Sequence, residues 1–404
     1  MGDTVGTTSH DSAARGVAFA RASLVVFGAG QSAAFIALPI VFRQLGLSES
    51  MAGLVFGLAS AVSIFNAPML GRQSDRLGRR YTLSACLGAY GIATFLFGMA
   101  LYYFSATPAT ALAVVATLLL LRMLAGGMGS GIFPSCQGYI ADSFEPRQRL
   151  GESGRLSAAM NLGLLAGALT ISALGALAWR IEAALLAIGI VAGCFGAAIA
   201  AVFPVAAKLP PGARPRRNTA RDSRVGTIVL ICVAFVAAQA LVQQMMGFLV
   251  QERLALTGAK AGFWTGLCFI AAVVASMLSQ ALLISRISGR LVLPLAFLVS
   301  GAALLAASRA TTGIELVGCL FVTGLAFGFV FPTLMNMAST RVSREEQGGV
   351  AGVMASVSAF GLAVGPITGG VLYDAVGPVA YALAAALLGV LALAALAHKP
   401  AAES

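Results

Sequence analysis

Apolar residues run along this chain in long unbroken blocks, and polar residues crowd into the short gaps between them. Twelve blocks predict twelve helical spans, roughly 17–42, 50–71, 81–103, 109–138, 154–177, 182–204, 226–250, 260–284, 290–308, 313–338, 347–373 and 377–397. A helix of about twenty apolar residues crosses the hydrocarbon core of a bilayer. The short alternating segments of a membrane β-barrel are absent from the pattern. The blocks fall into two groups of six, 17–204 and 226–397, joined by a linker at 205–225. That linker contains AKLPPGARPRRNTARDSR, rich in Pro and Arg and without an apolar face. Polar tails at 1–16 and 398–404 complete the chain. The first tail lacks the apolar core of a cleavable leader, so the first span is expected to serve as the insertion signal.

Composition agrees with the pattern. The 404 residues are 59% hydrophobic and only 10% charged, with a mean hydropathy of +0.91. A soluble domain carries about a quarter charged residues. The net charge of +11 changes meaning once it is placed along the chain. With both termini in the cytoplasm, the opposite side holds only Arg43, Arg180, Arg253, Lys260 and Arg309, and Arg122 lies within a span. The remaining twenty of the 26 basic residues fall in the tails, the loops and the span ends of the cytoplasmic side. This bias is the positive-inside rule and fixes the expected orientation; it is no footprint for nucleic acid. Cys86, Cys136, Cys194, Cys232, Cys268 and Cys319 sit in apolar runs without CxxC spacing and read as small hydrophobes. His10 and His398 lie in the tails, so no metal site is expected.

The two halves repeat each other. A shift of 198 residues superposes Gly126 on Gly324, Phe133 on Phe331, Pro134 on Pro332, Gly154 on Gly352, Gly163 on Gly361 and Gly167 on Gly365. A shift of 209 superposes Leu45 on Leu254, Gly53 on Gly262 and Gly57 on Gly266. Both halves start on the same side, so the repeat is parallel, as in transporters that rock about a midplane site.

Charge concentrates in GRQSDRLGRR, residues 71–80, between spans 2 and 3. Gly71 and Gly78 suit a tight turn between helices, and Asp75 suits a site facing a helix N-terminus. Gly71, Asp75, Arg76, Gly78, Arg79 and Arg80 match the loop 2–3 signature of the major facilitator superfamily, G-x3-D-[RK]-x-G-R-[RK]. With twelve spans in two parallel halves, the chain resembles that family over essentially its whole length, and its drug:proton antiporter-like branch in particular. The resemblance implies an all-α fold of two pseudo-symmetric six-helix bundles that work by rocker-switch alternating access. It also implies a conformational latch built from the loop signature together with Asp142, at the end of span 4, with Asp75 approaching helix 11. The matching loop of the second half reads SRISGR, with Ser285 in place of the aspartate.

Arg122 lies near the middle of span 4, where a charge is costly and normally faces a cavity or a partner. Gly126, Gly129, Ser130 and Phe133 share its helical face and leave room for a ligand or for close helix packing. Arg122 and Gly126 resemble the family's span-4 R-x3-G motif, implicated in proton coupling or substrate binding. No Asp or Glu stands in the central part of any span, and span 1 offers Gln31 and Ser32 instead. By resemblance, spans 1, 4, 7 and 10 line the cavity. Gln31, Arg122, Asn161, Gln243, Gln244, Phe331 and Asn336 are the substrate or coupling candidates, because Met, Phe and a few buried amides suit an amphipathic ligand. Span 11 carries GLAVGPITGG, whose Gly361, Gly365, Pro366, Gly369 and Gly370 read as a helix hinge or a packing face. This string resembles the antiporter signature, which the drug exporters carry in span 5.

Two transport readings follow: export of small amphipathic molecules or drugs in exchange for protons, and import or facilitated passage of an organic anion held at its carboxylate by Arg122. No nucleophile–base pair, metal cluster or nucleotide loop supports an enzyme. The resemblance implies a proton gradient as the energy source and no cofactor. It further implies a small-molecule substrate, a monomer, and a multi-pass place in a bacterial cytoplasmic membrane with both termini cytoplasmic.

Overall fold

The computed structural model describes residues 4–204, 223–283, 291–342 and 346–397. The expected linker, the SRISGR loop with Ser285 and the C-terminal tail lie wholly or largely outside these. The described residues are almost entirely helical, with no strand among them. The helices are α1 (Thr4–Gln44), α2 (Glu49–Leu77), α3 (Arg79–Ala106), α4 (Ala111–Gly129), α5 (Ile132–Ser143), α6 (Pro146–Ala176), α7 (Ala183–Val202), α8 (Ser223–Arg253), α9 (Gly258–Leu278), α10 (Val292–Ala307), α11 (Gly313–Ser339), α12 (Gln347–Val376) and α13 (Val379–Ala397).

Eleven segments are long and apolar enough to cross a membrane, and α10, at 16 residues, is a shorter apolar helix. Predicted spans 1, 4 and 5 need correction, and α1 already starts at Thr4, inside the expected polar tail. Span 4 is two helices, because α4 ends at Gly129 and α5 starts at Ile132. The Ser130 hydroxyl donates to the Gly127 carbonyl (2.7 Å), taking up one of the acceptors that a helix end leaves open. Span 5 starts earlier than its apolar pattern indicates, since α6 carries its polar first turns from Pro146 onward. Local signals set other helix ends. Thr110 accepts from the Ala113 amide at the start of α4, and Thr312 with Glu315 forms a capping box on α11.

Contacts divide the chain into two compact units. The first holds residues 1–34, 58–171 and 180–212. Its core joins α1, α3, α5, α6 and α7 through Leu24, Leu83, Leu87, Tyr90, Tyr139, Leu156 and Phe203. Glycines let its helices meet backbone to backbone: Gly163 of α6 lies on Val25 of α1, Gly126 of α4 on the Ala59 carbonyl of α2, and Gly91 of α3 on Gly193 of α7. The second unit holds residues 35–57, 172–179 and 213–404. Gly361 and Gly365 of α12 lie on Val236 and Ala237 of α8, and Gly324 of α11 lies on the Ala272 carbonyl of α9. The sequence repeat therefore corresponds to a repeat of contacts: Gly126 and Gly324, or Gly163 and Gly361, do the same job in each half.

The repeat reaches into the turns. Between α1 and α2, Gly46 has φ +68° and the Leu47 amide donates to the Phe42 carbonyl at 2.9 Å. At the equivalent turn between α8 and α9, Ala255 has φ +50° and the Leu256 amide donates to the Gln251 carbonyl at 3.1 Å. The left-handed position of this helix-ending turn normally goes to glycine.

Candidate functional site

The arginine-rich segment is mostly helix. α2 continues to Leu77 and α3 begins at Arg79, so the turn is the single residue Gly78, with φ +98°. Gly71 lies inside α2 and makes no turn, contrary to its reading from sequence; the helix needs only one left-handed residue to reverse. Arg79 is the hub. Its guanidinium pairs with Asp75 at 2.6 Å and Asp142 at 2.8 Å, and donates to the Ser74 hydroxyl at 3.1 Å. Gly138 of α5 makes room for it, because a Cβ there would meet the guanidinium. Arg80 donates to the Ala201 carbonyl at 2.7 Å, and to that of Ala200, at the C-terminus of α7, where open carbonyls and the helix dipole favour a cation. Arg76 is exposed, and the Asp75 side chain is 63% exposed.

Arg122 points into the first unit. Leu120 and Leu124 beside it are exposed, while Arg122 itself is 4% exposed. Its guanidinium donates to the Gln31 side-chain carbonyl on α1 and faces the Tyr90 hydroxyl on α3. Tyr90 donates to the Phe27 carbonyl at 3.2 Å, and the Phe27 and Tyr90 rings meet edge to face at 5.0 Å. Gly30 and Gly129 leave the space that Tyr90 and Phe27 fill. Ser63 of α2 donates to the Gly126 carbonyl at 3.0 Å, binding α2 to the same face of α4. A charge at bilayer depth is thus held by uncharged groups from α1 and α3, on a helix whose small residues admit close neighbours.

The sequence points to Arg122 and Gln31, which meet in the structure, and gives no sign of Tyr90 beside them. Nothing in the run LSACLGAYGIATF separates a structural tyrosine from one aimed at a charge. Glu152 is equally unmarked, lying just before the apolar part of span 5. Glu152 is 8% exposed on α6 and pairs with Arg21 of α1 and with Arg155. Spans thus hold a buried acid near one end, although their centres carry none. Asn161 of α6 is half-buried.

The other candidates stand in the second unit. Gln244 of α8 is fully buried, and neither of its amide atoms has a hydrogen-bond partner among the described residues. Gln243 and Phe331 are half-buried and Asn336 is exposed. Gly361, Gly365 and Gly369 press α12 onto α8, and Gly370 presses it onto Glu49 and Ser50 of α2. α12 runs unbroken through Pro366.

The Major Facilitator Superfamily sequence model matches residues 22–258 and 227–404. Solute carrier family 67 member A1 of Homo sapiens is 27% identical over 390 residues, covering 91% of this chain and 88% of the relative. The class D tetracycline resistance protein of Salmonella ordonez is 26% identical over 343 residues, covering 82% of each. The crystal structure of a bacterial homologue of the human lysosomal transporter Spinster, inward-facing and occupied, has the same fold. Its TM-score is 0.72 at 16% identity, over 94% of both chains.

Proposed function

The chain belongs to the major facilitator superfamily, and from that premise we propose that it exports small amphipathic molecules or drugs in exchange for protons. The family makes it a multi-pass membrane transporter of small molecules and not an enzyme. Export and proton exchange are the finer claims. The observation that carries them is Arg122, buried on α4 and bonded to Gln31 of α1. A buried guanidinium is a fixed positive charge that a ligand can meet and whose field acts on nearby protonatable groups. Likeness to the tetracycline resistance protein over 82% of both chains supports the direction of transport. Glu152 and the Asp75–Arg79–Asp142 group supply titratable acids at helix ends. The proposed setting is a bacterial cytoplasmic membrane, with a monomer whose arginine-rich turn and termini face the cytoplasm, and with the proton gradient as the energy source.

The second reading, a carrier for organic anions, rests on the same arginine. A buried guanidinium at bilayer depth matches a carboxylate with two parallel hydrogen bonds.

Accumulation of a cationic dye in cells separates the two. Expression should lower dye accumulation several-fold, and a protonophore should erase the difference. Arg122→Ala should behave like empty vector at equal membrane abundance, and Arg122→Lys should recover little, because an ammonium lacks the planar fork. Dye accumulation unchanged by wild-type expression, together with uptake of organic acids that depends on Arg122, would establish the anion reading instead.

A further inference from the structure

The side of α3 that faces the interior of the first unit carries a line of polar residues. Arg79, Thr82, Cys86 and Tyr90 recur at three- and four-residue spacing, so they stack on one face of the helix over about 16 Å. Both ends of the line have partners. Arg79 pairs with Asp75 and Asp142, and Tyr90 faces Arg122 and donates to the Phe27 carbonyl. The middle is different. Thr82 is 3% exposed, and its hydroxyl has no hydrogen-bond partner among the described residues.

α5 brings a second such group to the same place. Gly131 of α5 lies on the Cys86 sulfur, and Gly138 lies on the Arg79 guanidinium. These two contacts fix how α5 runs along α3. Ser135 stands one turn from each of those glycines, and Thr82 stands one turn from each of the groups they touch. The two residues therefore share one level where the helices face each other. Ser135 is fully buried, and its hydroxyl too has no partner among the described residues. The surroundings are apolar, with Leu70, Leu83, Ile132 and Tyr139 in the same core. Buried hydroxyls are normally bonded, and leaving one unbonded is costly. Two at one level, in line with an ion cluster and a buried arginine, point to a shared use.

A hydroxyl accepts a proton on its oxygen while passing on the one it holds. Buried waters gather at otherwise unsatisfied groups of this kind and extend their reach. We propose that Thr82 and Ser135 form the middle of a proton path inside the first unit, from the Arg122–Tyr90 site to the carboxylates of Asp142 and Asp75. The path presupposes the proton exchange proposed above. Each hydroxyl gains one proton and loses one, so no charge stays on it. Asp142 takes the proton at the end of the path. Its side chain is 26% exposed and that of Asp75 63%, which opens the way to water on the side of the arginine-rich turn. The Cys86 thiol, a weak donor and acceptor, stands between the hydroxyls and Tyr90.

Inside-out vesicles holding the full-length chain, acidified by respiration and given the cationic dye ethidium, test the path. Two rates are compared: ethidium-evoked proton release, and exchange of labelled ethidium at equal concentration on both sides, which moves no net protons. Thr82→Val/Ser135→Ala should slow proton release about tenfold, since water replaces only part of a lost hydroxyl, and leave ethidium exchange unchanged. Thr82→Ser keeps the hydroxyl and should release protons at the wild-type rate. Ser300→Ala removes a buried hydroxyl of α10 that is bonded within its own helix and should change neither rate. Should the double variant fail to reach the membrane, Thr82→Val and Ser135→Ala singly are each expected to slow release about threefold. Proton release at the wild-type rate in these variants, or an equal fall in both rates, overturns the path alone. A wild type that exchanges ethidium without releasing protons overturns the proton-exchange reading, and the path with it.

Discussion

Arg122 and Gln244 are two buried polar side chains in opposite situations. Arg122 is bonded to Gln31 and faces Tyr90; Gln244 is fully buried with neither amide atom hydrogen-bonded among the described residues. Loss of a hydrogen bond to a charged group costs about 1.5–3 kcal/mol, so Gln31→Ala should raise the KM for a transported dye about ten- to hundredfold. Equal KM in the variant would show that Gln31 does not set the arginine in place. Gln244 predicts a split result. Leucine there removes an unsatisfied buried amide, so thermal unfolding in detergent should show stability raised by about 1–3 kcal/mol. Transport should nevertheless fall if the amide serves the substrate. A Gln244→Leu protein that is less stable than wild type would contradict the burial argument. Arg122 was legible from sequence because a charge inside an apolar run is conspicuous. Tyr90 and Glu152 were not, since a tyrosine passes as an apolar residue and Glu152 lies just before the apolar part of its span.

At the scale of elements, the repeat was readable as spaced glycines before any contact was known. Gly126 with Gly324, and Gly163 with Gly361, prove to be the points where helix backbones touch. What the glycines could not show was which partner helix each one meets, because a small residue marks a close approach and leaves its target open. The break between α4 and α5 was hidden as well, as LAGGMGSGIF stays apolar throughout while the helix stops and restarts. Two substitutions test the packing. Gly361→Leu should lower the melting temperature sharply, since even a Cβ there would meet Val236 and the Ala237 amide, whereas Gly352→Ala faces open space and should change little. Ala255 holds a left-handed conformation that costs a non-glycine residue about 1–2 kcal/mol. Ala255→Gly should therefore stabilise the protein by about 1 kcal/mol, measured by the same thermal unfolding; a loss of stability would mean that the strain is absorbed elsewhere.

For the whole molecule, the family and the membrane-spanning architecture follow from apolar block length and the loop signature, and a family model matching both halves agrees. The chemistry of coupling is less visible, because it depends on which acids titrate during transport and they lie at helix ends among structural ion pairs. Glu152, Asp75 and Asp142 each have an arginine partner in the first unit, and no linear pattern distinguishes a coupling pair from an anchoring one. Proton exchange is the property on which the proposed function turns. The decisive measurement is the internal pH of inside-out vesicles, acidified by respiration, on addition of cationic dyes or organic acids, with wild type and Arg122→Ala. Dye-evoked proton release in wild type, lost in Arg122→Ala, is the predicted result. Substrate movement with no proton release, or a response to organic acids alone, would contradict it.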